Sequence, residues 1–204
     1  MKAHEIFQHA SPALIREMFH FLRTEQKDVY RTALATLAQG RKLRPVFVLK
    51  KSPEQQYAWL QKTTQLRGAD GVDEHLLQLW LLKAHKPLLV AFLDGVGIEH
   101  DGEGAADDLP DEIDGKKLKK TVDDLLKSFD PEVVKIYLYT FQLQKSEGWD
   151  AISELFANDA SLQLGTAATP EPAPAPTKKE EAPVAEESAA PVEVEAEADV
   201  SEEE

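Results

Sequence analysis

The sequence predicts an all-α protein, a stack of helical hairpins forming one compact or slightly elongated domain. Three observations lead there. Ser11-Pro12, Ser52-Pro53 and Asp130-Pro131 each set an oxygen-bearing cap before a proline, whose missing N–H is not needed in a first helical turn. Apolar residues then recur at i, i+3, i+4 and i+7, the period of one helix face. No stretch of useful length alternates as a strand would; the short VFVL run at 46–49 is the one candidate, and it stops just before a strong helix start.

The elements follow in chain order. Ser11 opens a helix over 12–24, with Ile15, Met18, Phe19 and Leu22 on one face. Tyr30, Ala33, Leu34 and Leu37 repeat that spacing over 27–39, and Gly40 is placed to end it. Pro45 opens a short apolar helix over 45–51. Ser52, with Gln55 three residues on, forms a capping-box pattern before 53–66. The helix over 74–85 has leucines on both sides, Leu77 and Leu81 against Leu76, Leu79 and Leu82, so it is expected to be central. Lys86-Pro87 breaks or bends that axis before 87–96, and Gly95 and Gly97 are expected to stop the second segment. Helices over 116–128, 131–143 and 149–157 complete the set. Pairs at 12–39, 74–96 and 116–143 read as hairpins, with irregular spacing and no shared repeat consensus.

Residues 166–204 differ in kind. They contain no aromatic residue, Leu or Ile, and are dominated by Pro, Ala and Glu. Such a segment buries too little apolar area to offset the entropy of ordering, so the domain is expected over 1–165 with a disordered acidic tail over 166–204. The opening residues lack the uninterrupted apolar segment of a secretory signal, and no run approaches the ~20 apolar residues of a membrane span. The expectation is a cytoplasmic protein with no membrane contact. The chain has no cysteine, which excludes disulfides, thiolate metal sites and a cysteine nucleophile.

Charge is uneven along the chain. Residues 1–67 hold 12 Lys/Arg against 5 Asp/Glu, a surplus of +7, in a protein of net charge -14. Residues 68–165 hold 9 against 20, and the remainder 2 against 12. A basic third beside acidic remainders points either to internal pairing or to an external polyanion. The residues available for anion contact are Arg41, Lys42, Arg44, Lys50, Lys51, Lys62 and Arg67. Much of the clustering at 40–51 is explained by helix punctuation: Arg41 and Lys42 follow one helix end, and Lys50 and Lys51 another.

No catalytic, cofactor or metal motif emerges. His4-Glu5 and His9 give HExxxH, in which the histidines stand about 140° apart on a helix, off the one-face spacing a zinc site needs. His85 sits near a helix end, where the dipole favours an imidazolium. From Asp101, a calcium loop would place Glu103, Ala105 and Asp107 at ligand positions, but Ala105 has no ligating side chain and Ala106 stands where a glycine is required, although Glu112 does fall at the twelfth position. The GVG at 95–97 follows a helix, not a strand, which defeats a dinucleotide reading. A helix-turn-helix centred on Gly40 puts Pro45 and the apolar VFVL on the reading surface. The lysines of 116–120 are expected to be neutralised by upstream acids and by Lys119–Asp123 and Lys120–Asp124 pairs. Tyr57 and Trp59 fit a helix core better than a base-stacking platform.

The expectation for function is a non-enzymatic helical protein-interaction module with a protein partner. The alternative is an RNA- or DNA-associated protein that uses the basic third, with the tail as electrostatic competitor. A pocket containing Glu17, His20 and Asp28 is the enzymatic alternative.

Overall fold

The computed structural model describes residues 1–68, 71–106, 108–144 and 149–165. The chain divides into two units, Met1–Ala168 and Thr169–Glu204. The second, and the tail expected at 166–204, lie outside the described residues.

The fold is all-helical. In order the helices are α1 (Ala3–His9), α2 (Pro12–Glu25), α3 (Lys27–Gly40), α4 (Pro45–Leu49), α5 (Pro53–Thr64), α6 (Val72–Ala84), α7 (Lys86–Val96), α8 (Gly115–Ser128), α9 (Pro131–Gln144) and α10 (Asp150–Asn158), followed by a 3-10 turn at Ala160–Leu162. The three proline starts are capped as expected. Ser11 Oγ accepts from Leu14 N at 3.3 Å, and Ser52 Oγ accepts from Gln55 N at 3.5 Å while Gln55 Oε1 accepts from Ser52 N at 3.4 Å. Asp130 Oδ1 accepts from Glu132 N at 2.8 Å and Val133 N at 3.2 Å. Two of these starts are latched together: Ser11 Oγ donates to Glu132 Oε2 at 2.7 Å, joining the head of α2 to that of α9.

Helix α6 is the hub, packing against α1, α2, α3, α7 and α9. Leu76, Leu77, Trp80 and Leu81 are buried there, while Leu82 and Lys83 remain on an open side, so it is not apolar-covered all round. The axis turns by 88° between α6 and α7, where His85 ends one helix and Pro87 lies in the first turn of the next. Among the described residues no single helix is long and apolar enough to cross a membrane, and the apolar faces of this bent pair are spent on the core.

Several expectations need correction. α1 is absent from the sequence reading because seven residues are too few to establish a periodicity, yet Ile6 and Phe7 are fully buried and Phe7 stacks on Phe19 at 6.1 Å. α3 does end at Gly40, but the glycine does not make the stop: the left-handed turn is made two residues on by Lys42, at φ +57°. Gly95 is no stop either. It lies inside α7, where an added Cβ would stand 2.5 Å from Thr121 Cγ2 of α8, so its role is to let two helices approach. Gly97, at φ +80°, does end α7. The Lys119–Asp123 and Lys120–Asp124 pairs do not form; Asp124 pairs with Lys127 at 3.2 Å, and the Asp159 carboxyl is held below the usual range by its hydrogen bonds from Ser161, with a smaller contribution from Lys119.

Candidate functional site

The corner where α3, α4 and α5 meet carries four of the seven large hydrophobic residues that stand exposed among the described residues. Backbone bonds from Leu43 N to Ala38 O and from Lys42 N to Gln39 O, both 2.8 Å, reverse the chain after α3 and lay α4 along it. Of the apolar residues on and before α4, only Val48 is buried. Phe47 is 63% exposed, and Leu43, Val46 and Leu49 stand beside it in solvent at about 40% each. The sequence identifies an apolar helix here; what it does not contain is that most of that helix's apolar side chains stay exposed.

A buried polar relay holds this exposed helix in place. Tyr30 Oη donates to Gln56 Oε1 at 3.2 Å, and Gln56 Nε2 donates to Leu49 O and Lys51 O at 3.0 Å each. The carbonyls at the end of α4, which a helix leaves without internal partners, are thereby satisfied by a side chain fixed in α5. Burial, reinforced by Tyr57, pushes the Tyr30 phenol far above its ordinary range, and Arg23 opposes the shift. Tyr30 therefore stays a neutral donor, and α4 is presented on a rigid base.

Cations ring this apolar shoulder. Arg41, Lys42, Arg44, Lys50 and Lys51 are all exposed, and none joins an ion pair among the described residues. The structure separates the other two expected members. Lys62 is exposed near the far end of α5, about 14 Å along its axis at 1.5 Å per residue. Arg67 lies beyond that helix, close enough to Glu5 of α1 to help hold its carboxyl low after the larger effect of the Lys2 backbone bond. That end of α5 is tied to α1 by Gln65 Nε2 donating to Phe7 O at 3.1 Å.

Three further cations belong with the shoulder and are missing from the sequence-derived set. Arg23, Lys27 and Arg31 line one recess of about 470 Å³, with Tyr30 and Gln56 in its wall and no carboxylate among the described lining residues. Leu49 borders the same recess, so the apolar shoulder and the cationic hollow are continuous. The available signal is the four-residue spacing 23–27–31, which is easily overlooked because it spans the junction between α2 and α3.

The histidines and acids do not assemble as the enzymatic alternative requires. Glu17 and His20 share a shallow recess with Arg16, Glu54 and Tyr57, where His20 Nδ1 lies 3.4 Å from Tyr57 Oη and Arg16 pairs with Glu54 at 2.8 Å. Asp28 lies in a separate recess with His75. Asp101, first residue of the calcium pattern, spends Oδ1 on Glu103 N at 2.6 Å and Ala105 N at 3.1 Å, which lowers its pKa; Asp107 lies outside the described residues. No group of three or more potential metal ligands occurs among the described residues. His85 also departs from expectation: it joins two helix ends, and burial lowers its pKa, so the neutral ring is favoured over an imidazolium.

Comparison with protein-family models, with curated proteins and with solved structures found no match to this chain.

Proposed function

We propose that this chain is a non-enzymatic helical interaction module that binds a partner protein through the α4 shoulder. The single observation behind this reading is Phe47, 63% exposed on a helix held fast by the Tyr30–Gln56 relay. A large aromatic left in water forgoes roughly 1.5–3 kcal/mol of burial free energy, which a partner can recover. Aromatic residues and arginines together characterise the energetic centres of protein interfaces. The surrounding cations define the complement: an acidic segment that carries apolar side chains, for which opposite charge speeds the encounter and apolar contact holds the complex.

The test is capture from a nuclease-treated cytoplasmic extract on the immobilised chain, run beside Phe47→Asp and the double variant Lys50→Glu/Lys51→Glu. A partner kept by the native chain and by Lys127→Glu, but lost from both shoulder variants, is the expected result. Equal capture by all four proteins overturns the reading.

A second reading draws on the carboxylate-free recess of Arg23, Lys27 and Arg31: association with RNA or DNA through phosphate contacts. It expects a salt-sensitive affinity for single-stranded RNA that rises when residues 166–204 are deleted. A truncated chain without such binding at low ionic strength removes it.

A further inference from the structure

The acidic stretch that fails as a calcium loop has another role in the fold: it roofs a cavity. α6, α7 and α9 form the walls of a space of about 190 Å³, with Leu81, Leu89, Leu93 and Phe141 facing it, and Gly104, Ala105, Ala106 and Leu109 close it from above. Gly104, at φ +91°, makes the roof possible, because a Cβ there would lie 2.8 Å from Leu89 Cβ. The roof is held by the Asp101 turn, by the ion pair between Lys86 and Glu103, and by Trp149 Nε1 donating to Pro110 O at 2.8 Å. Leu82 and Gln144 are exposed at the rim, which marks the mouth.

One polar group inside has no partner. Tyr137 lines the cavity and is 5% exposed, its ring held edge-on to Phe92 at 5.1 Å. Its hydroxyl makes no hydrogen bond among the described residues. Thr140 Oγ1 already donates to Ile136 O at 2.8 Å and Gln78 Nε2 to Glu74 Oε1 at 2.9 Å, while Gln144 stands out at the rim. No charged side chain lines the space among the described residues, which favours a neutral ligand over an ionic one.

We propose that this cavity binds a small neutral molecule of single-ring size, mainly apolar, that carries one oxygen hydrogen-bonded to the Tyr137 hydroxyl. Size and chemistry agree. An apolar protein cavity of about 150 Å³ accepts benzene, and this one is slightly larger, with a tyrosine hydroxyl in its lining to take up a hydrogen bond. The site is separate from the α4 shoulder and does not depend on the reading given to it.

The test is calorimetric titration of the full chain with phenol and with benzene. Both are expected to bind saturably, with phenol tighter by about 2- to 10-fold, the range one net hydrogen bond provides. Tyr137→Phe keeps the ring packing and removes only the hydroxyl; it is expected to retain benzene binding and abolish the preference for phenol. Leu93→Phe and, on the roof, Ala106→Leu narrow the space and are expected to weaken both ligands, with thermal unfolding confirming that each variant is folded. Absence of binding by the native chain overturns the proposal. So does equal affinity for phenol and benzene, or a phenol preference that survives Tyr137→Phe.

Discussion

Helices α3 and α7 end in the same hydrogen-bonded turn, with opposite consequences. After α3, Leu43 N reaches Ala38 O and Lys42 N reaches Gln39 O; after α7, Ile98 N reaches Leu93 O at 2.9 Å and Gly97 N reaches Asp94 O at 3.1 Å. This is the double bond of a Schellman turn, which requires a left-handed residue at its second-to-last position and normally buries the apolar residue that follows. At α7 both conditions are met: the left-handed residue is glycine, and Ile98 is 7% exposed. At α3 the left-handed position is taken by Lys42, and Leu43 is 44% exposed. The α7 end is built for stability. The α3 end accepts backbone strain and exposed apolar surface in order to project α4 into solvent with its cations, and local rules broken in this way are expected at binding surfaces.

The largest test of that contrast uses two phenylalanines. Phe92, fully buried among Tyr137 and Phe141, is expected to cost about 3–5 kcal/mol on Phe92→Ala. Phe47→Ala on the shoulder is expected to change stability by no more than about 0.5 kcal/mol. Urea unfolding of the two variants checks both, and a large loss from Phe47→Ala would show that the shoulder is structural. Next in size is Gly95→Ala, which pushes a methyl group into Thr121 and is expected to cost about 1–3 kcal/mol in the same measurement.

The two turns themselves can then be exchanged. Gly97→Ala places a Cβ at φ +80° and is expected to lose about 1–2 kcal/mol. Lys42→Gly relieves strain at φ +57° and is expected to gain about 0.5–1 kcal/mol, since glycine's added freedom in the unfolded chain offsets part of the relief. Identical signs at the two sites would break the comparison.

The smallest expected effect is on pH dependence. Burial lowers the pKa of His85, partly opposed by the Glu17 and Asp130 carboxylates. A group with a depressed folded-state pKa binds its proton more readily when unfolded. Its contribution to stability is therefore complete above the ordinary histidine value of about 6.5 and falls as the pH drops from there toward the folded-state value. His85→Phe, which keeps a ring against Trp80, is expected to flatten this slope in thermal unfolding between about pH 7 and 5.

Capping and periodicity are local properties, and where they govern the structure the sequence was readable. Ser11, Ser52 and Asp130 cap the helices they were assigned, and Tyr57 is buried as expected. What could not be read depends on neighbours distant in sequence. Gly95 resembles a helix stop until Thr121 of α8 is seen against it. The apolar α4 resembles core until Phe47 is seen to be 63% exposed. Of the seven expected anion contacts, five gather at the shoulder, while Lys62 and Arg67 lie toward the other end of α5; Arg23, Lys27 and Arg31 join the shoulder only because α2 and α3 fold back on each other.

Photo-crosslinking from position 47 tests the central claim most directly. A benzophenone-bearing phenylalanine is placed there, and a second protein carries it at Leu66, which is 44% exposed but lies outside the cluster. The account predicts a discrete, nuclease-resistant protein adduct from position 47, absent from position 66 and lost when Arg44, Lys50 and Lys51 are changed to glutamate. The same adducts from both positions, or an adduct indifferent to those charge reversals, would contradict it.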